Sequence, residues 1–152
     1  MTTLIPPELV HVGLSAADRE ELFTTMAARL EGLGHVRGTF LQGLLVRESR
    51  FPTGLPINGG VAIPHTDPEH VLSSCISIAT LARPVMFGQM GGEDETIPVR
   101  LVLMLALRGS DDHLAVLKKM MTSLQDGAFV GALLASASAE DIAARARAAL
   151  EP

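Results

Sequence analysis

The sequence predicts an α/β fold, a single domain in which a mixed central sheet is flanked by helices. Three observations predict it. Apolar residues recur at helical spacing before and after a middle stretch of strand-like runs. That stretch contains "TIPVRLVLMLAL", residues 96–107, a short apolar run rich in branched side chains, which reads as a buried central strand. The length of 152 residues, with 47% apolar and 19% charged content, suits one core that needs neither disulfide nor metal. Residues 1–152 are therefore read as one domain, with its core at about 14–150.

The elements follow in order. Ser15 is expected to open the first helix, with Asp18 at capping-box spacing and Leu22, Met26, Leu30 and Leu33 as its apolar stripe. Gly32 and Gly34 end it. A second helix is expected from about Gly38 to Glu48, burying Phe40, Leu41, Leu44 and Leu45. "SRFPTGLPINGG" then breaks the pattern with prolines and glycines, and leads into "GVAIPHTD", a short apolar run that ends in a proline and a histidine. "VLSSCISIAT" reads as a strand, "PVMF" as a second short one, and "GQMGGEDE" as a loop before the central strand. Ser110-Asp111-Asp112-His113 is expected to start a third helix facing inward with Leu114, Leu117, Met121 and Leu124, stopped by Asp126 and Gly127. Two last helices are expected near 127–135 and 139–150, the second capped by Ser138.

Composition removes several classes of function. A net charge of −5 argues against binding nucleic acid or an anionic membrane surface. Without tryptophan or tyrosine there is no stacking platform for single strands. No eighteen-residue apolar run and no signal-like start are visible, so the expected location is the cytoplasm. The lone Cys75 excludes an internal disulfide, and inside an apolar strand it reads as a buried, inert thiol.

The chemistry rests on histidines. His11 and His35 fall in connecting segments and read as surface residues. His65 follows Pro64, which fixes its own backbone and keeps Ile63 extended, so the ring is held rigidly beside a glycine-rich loop. Such a ring is either a reactive group or a strand-end histidine bonded to a backbone carbonyl. His113 lies at a helix start, where free N–H groups suit an oxyanion. Arg47 closes the second helix with a fork of donors that suits phosphate, and Thr53 and Gly54 offer a hydroxyl and an unobstructed N–H. His65 and His70 are wrongly spaced for a helical metal pair, and Pro68 breaks any helix between them, so no metal is expected.

"VRESRFPTGL", "GVAIPHTDPEH" and "DDHLAVLKKM", in this order and spacing, resemble the enzyme IIA domains of the bacterial sugar phosphotransferase system, of the fructose–mannitol type. The resemblance runs from about Leu14 to Leu150, and the Phe-Pro-Thr-Gly loop with His70 is most similar to the galactitol-type branch. It implies a phosphohistidine carrier. His65 would accept a phosphoryl group from the phosphocarrier HPr and pass it to a cysteine of an enzyme IIB serving a membrane enzyme IIC. Arg47 and His113 would assist, Thr53 and Gly54 would line the phosphoryl site, and His70 would be accessory, with no cofactor. The alternative that the resemblance implies is a nitrogen-related regulatory enzyme IIA, which signals through its phosphorylation state. Phe51, Leu55 and Ile57 are expected to form the docking rim.

Overall fold

The computed structural model describes residues 3–92, 94–109 and 111–151, without the side chains of 111–113. Five strands form one mixed sheet: β1 (Val10–Leu14), β2 (Gly54–Leu55), β3 (Val61–Ala62), β4 (Cys75–Gly88) and β5 (Thr96–Ala106), in the spatial order β1-β4-β5-β3-β2. β5 is central, antiparallel to β4 and parallel to β3. Its alternation shows why the run is apolar throughout. Leu101, Leu103 and Leu105 point to one face, while Val102, Met104 and Ala106 point to the other, and both faces are covered.

Helices α1 (Arg19–Gly32) and α2 (Phe40–Arg50) cover one face through Leu22, Phe23, Met26, Leu30, Phe40 and Leu44. Helices α3 (Asp111–Leu124), α4 (Gly127–Ala135) and α5 (Ala139–Leu150) cover the other. The result is a three-layer α/β domain, as the sequence predicts.

Several boundaries differ from expectation for physical reasons. α1 starts later than Ser15, because the edge strand β1, which the sequence reading missed, occupies the chain up to Leu14. Asp18, not Ser15, is the cap, accepting from the Glu21 N–H. The "PVMF" strand is the far half of β4, which continues through a bulge between Thr80 and Val85. On α3 the buried stripe is Val116, Met120 and Leu124, whereas Leu114 is exposed. The expected start of that helix at Ser110 lies outside the described residues. Asp126 caps α4 instead of merely ending α3, and Ser138 caps α5 as predicted.

The loop between β2 and β3 is set by glycine. Gly60 has φ +97°, and a Cβ there would lie 1.9 Å from the Pro98 carbonyl oxygen. This close approach seats β3 against β5 and aims the chain at the Pro64–His65 turn.

Candidate active site

His65 leaves the sheet where β3 ends. The Leu105 N–H donates to the Pro64 carbonyl at 2.9 Å, so β5 holds the turn from below. The His65 Nδ1 lies 2.8 Å from the Ile63 carbonyl oxygen. A carbonyl can only accept, so Nδ1 carries the proton and, in the neutral ring, Nε2 carries the lone pair. The strand-end carbonyl bond and the reactive group are thus one arrangement, since the bond selects the tautomer. The half-buried ring lines a cavity of about 320 Å³ whose other walls include Leu105, Leu117 and Met121.

Across Thr66 lies a second depression, a groove of about 560 Å³ lined by Thr39, Gly43, Arg47, Arg50, Phe51 and His70 among others. Thr66 contributes to both walls. Arg47, in the last turn of α2, stacks on Phe51 with 5.0 Å to the ring centroid, and one of its Nη atoms is 3.7 Å from an Asp67 carboxylate oxygen. Its Nε is buried without a hydrogen-bond partner among the described residues. The structure therefore puts Arg47 beside the segment that follows His65, on the other side of Thr66 from the His65 cavity.

His70 faces the Arg47 groove. Its Nδ1 is 2.8 Å from the Thr39 hydroxyl, and its Nε2 is 3.8 Å from a Glu69 carboxylate oxygen. α2 approaches this segment closely at Gly43, where a Cβ would lie 2.9 Å from Thr66 Oγ1 and 3.0 Å from His70 Nε2. Arg37 adds two bonds, from its backbone N–H to the His70 carbonyl and from Nε to the Glu69 carbonyl.

Thr53 and Gly54 are used differently from the sequence expectation. Thr53 is buried, and both its donors are engaged by Glu48: the N–H at 2.7 Å and the hydroxyl at 2.8 Å. Gly54 is a packing position in β2, where a Cβ would meet the Gly88 carbonyl oxygen at 2.6 Å. Of the expected docking rim, Phe51 is 62% exposed, whereas Leu55 and Ile57 pack against the core. The side chain of His113 lies outside the described residues. Cys75 is buried, which pushes its thiol up to about 12 and keeps it protonated.

Sequence reasoning missed Glu48. It is 1% exposed, and burial pushes its carboxyl above the ordinary range, opposed by the two bonds from Thr53 and the positive charges of Arg19 and His65. The signal was present. Phe40, Leu44 and Glu48 are spaced by four, so the carboxylate falls on the buried stripe of α2.

Residues 3–146 match the family "Phosphoenolpyruvate-dependent sugar phosphotransferase system, EIIA 2". The chain is 32% identical, over 82% of its length and 83% of the relative's, to the galactitol-specific EIIA component of Escherichia coli K12. It belongs to the EIIA 2 family. EIIA components are phosphotransferases that carry phosphoryl groups in sugar transport. This EIIA domain also superimposes on the crystal structure of IIA mannitol from Escherichia coli (TM-score 0.74, 26% identity, 93% of this chain and 97% of the other). It superimposes equally on the IIA chain in a complex with phosphorylated mannitol enzyme IIB from Escherichia coli (TM-score 0.76, 25% identity, 93% and 95%). Among its described residues, no helix is long and apolar enough to cross a membrane.

Proposed function

We propose that this EIIA domain carries the phosphoryl group on Nε2 of His65, taking it from phospho-HPr and delivering it to a cysteine of an enzyme IIB, in uptake of a sugar or sugar alcohol of the galactitol kind. One observation carries the reading: the 2.8 Å bond from Nδ1–H to the Ile63 carbonyl, which leaves Nε2 as the nucleophile. In the first step the Nε2 lone pair forms a bond to phosphorus while the N–P bond of the donor phosphohistidine breaks. Nδ1 keeps its proton, so the ring becomes positive. In the second step a cysteine thiolate attacks phosphorus, the Nε2–P bond breaks, and the ring recovers its lone pair.

Positioning and charge neutralisation carry most phosphoryl transfer. Arg47 is the cation for that task; a modest shift of the guanidinium around Thr66 would bring its unpartnered Nε toward the phosphoryl oxygens. His113 is the second group assigned to it. The apolar walls formed by Leu105, Leu117 and Met121 keep water from the phosphohistidine, which favours transfer over hydrolysis. The galactitol assignment rests on the 32% identity with a galactitol-specific relative, and the enzyme IIB assignment on the complex formed by a mannitol-type relative.

The test is phosphate incorporation from phosphoenolpyruvate, enzyme I and HPr, followed by transfer to a galactitol-type enzyme IIB. The reading requires label on His65 that chases onto enzyme IIB. Label that accumulates on His65 and never chases would instead mark the regulatory kind of enzyme IIA. Equal labelling of His65→Ala and the wild type would end the assignment.

A further inference from the structure

We infer that Glu48 is the counter-charge for the positive ring that His65 acquires on phosphorylation, and that Thr53 serves to hold that carboxylate in place. The inference rests on the reading of His65 as the phosphoryl carrier. Glu48 is 1% exposed, and among the described residues no Lys, Arg or His nitrogen lies within ion-pairing distance of it. A buried carboxylate without a paired cation is costly, and a neutral glutamine at this position would satisfy Thr53 as well. The negative charge is therefore what needs explaining.

The connections lead to His65. Each carboxylate oxygen accepts one bond from Thr53, through the N–H and through the hydroxyl. Thr53 immediately precedes β2, whose Gly54 and Leu55 pair with Ala62 and Val61 of β3. Three residues beyond Ala62 stands His65. The carboxylate is thus fixed to the hairpin that presents the imidazole, and its own titration responds to the charge on that ring. In the resting state the ring is neutral and there is little for Glu48 to balance. As the Nε2–P bond forms and the donor's N–P bond breaks, Nδ1 retains its proton and the ring turns positive. The Ile63 carbonyl stabilises that charge from one side, and the fixed carboxylate stabilises it through space. As a thiolate later takes the phosphoryl group the ring charge vanishes, and no proton needs to leave or arrive.

The decisive variant is Glu48→Gln, which keeps a hydrogen-bonding amide for Thr53 and removes only the charge. We expect its phosphorylated ring to release the Nδ1 proton about one pH unit lower than wild type by NMR titration. Phosphoryl uptake from phospho-HPr should slow about tenfold, the rate equivalent of that shift. Thr53→Ser, which keeps both donors, should stay close to wild type in both measurements. A wild-type ring titration and rate in Glu48→Gln would overturn the inference. Should that variant not fold, the reciprocal measurement needs no change at Glu48. The Glu48 carboxyl, followed by 13C NMR, should titrate at a higher pH in His65→Gln than in wild type, because the opposing positive charge is gone, and an unchanged midpoint would equally overturn the pairing. This last readout uses the unphosphorylated protein. If it responds while wild type takes no label on His65, the carrier assignment fails and the electrostatic pairing stands.

Discussion

Two half-buried histidines lie in different parts of this sheet, and burial treats them in opposite ways. His65 ends β3 with Nδ1 bonded to a carbonyl and its ring lining a cavity. His11 sits on the edge strand β1, paired in register with Ala79, and its Nε2 is buried without a partner among the described residues. Burial, and then the nearby charge of Arg29, holds the His11 ring below its ordinary 6.5. A histidine removed from water is merely a strained acid unless one nitrogen is engaged and the other has somewhere to act. The difference between these regions is the difference between a perturbed group and a usable one.

The largest expected effect separates the two outright. His65→Ala should abolish phosphate incorporation, while His11→Leu should label as wild type does. Labelling assayed by gel autoradiography or intact-mass spectrometry decides it, and loss of label in His11→Leu at wild-type stability would break the contrast. Next in size is Arg47→Ala, which should slow phosphoryl uptake about 100-fold, the scale of one lost donor to developing charge. Arg47→Lys should recover only part of this, because lysine lacks the fork that both stacks on Phe51 and reaches Asp67. Smaller again is Gly43→Ala. The new methyl would press on Thr66 and His70, and denaturant unfolding should show a loss of about 1–3 kcal/mol. The same change should disturb the NMR signals of His65 and leave those of His11 in place, since Thr66 adjoins only the former.

How much of this could be read in the sequence follows the same division. Local rules exposed the central strand, the caps at Ser138 and the proline-fixed His65, because each depends on residues close together in the chain. The edge strand β1 was not legible. "VHVGL" is short, and its pairing partner is almost seventy residues away in β4. For that reason His11 read as a surface residue until β4 covered it. Thr53 read as a free hydroxyl because its partner was dismissed as the polar end of a helix. Counting in fours from Phe40 would have placed Glu48 in the interior and raised the question of what satisfies it.

The smallest expected effect tests the comparison from the side of His11. The folded chain holds this ring neutral to a lower pH than the unfolded chain does, so between the lowered value and about 6.5 the unfolded state binds more protons. Stability should therefore fall as pH drops through 6.5 and level off once the folded ring is itself protonated. Glu48 has the opposite sign: its raised carboxyl makes the folded state the better proton acceptor at more acidic pH. The two are separated by difference. Thermal unfolding of wild type and His11→Leu, followed by circular dichroism from pH 8 to pH 5, should converge less at acidic pH, with the variant losing less stability there. At pH 8 the variant should be no weaker than wild type, because leucine removes a buried nitrogen that has no partner, an omission worth about 1 kcal/mol. Parallel curves would mean that the His11 ring reaches water in solution, and the contrast with His65 would then rest on the carbonyl bond alone.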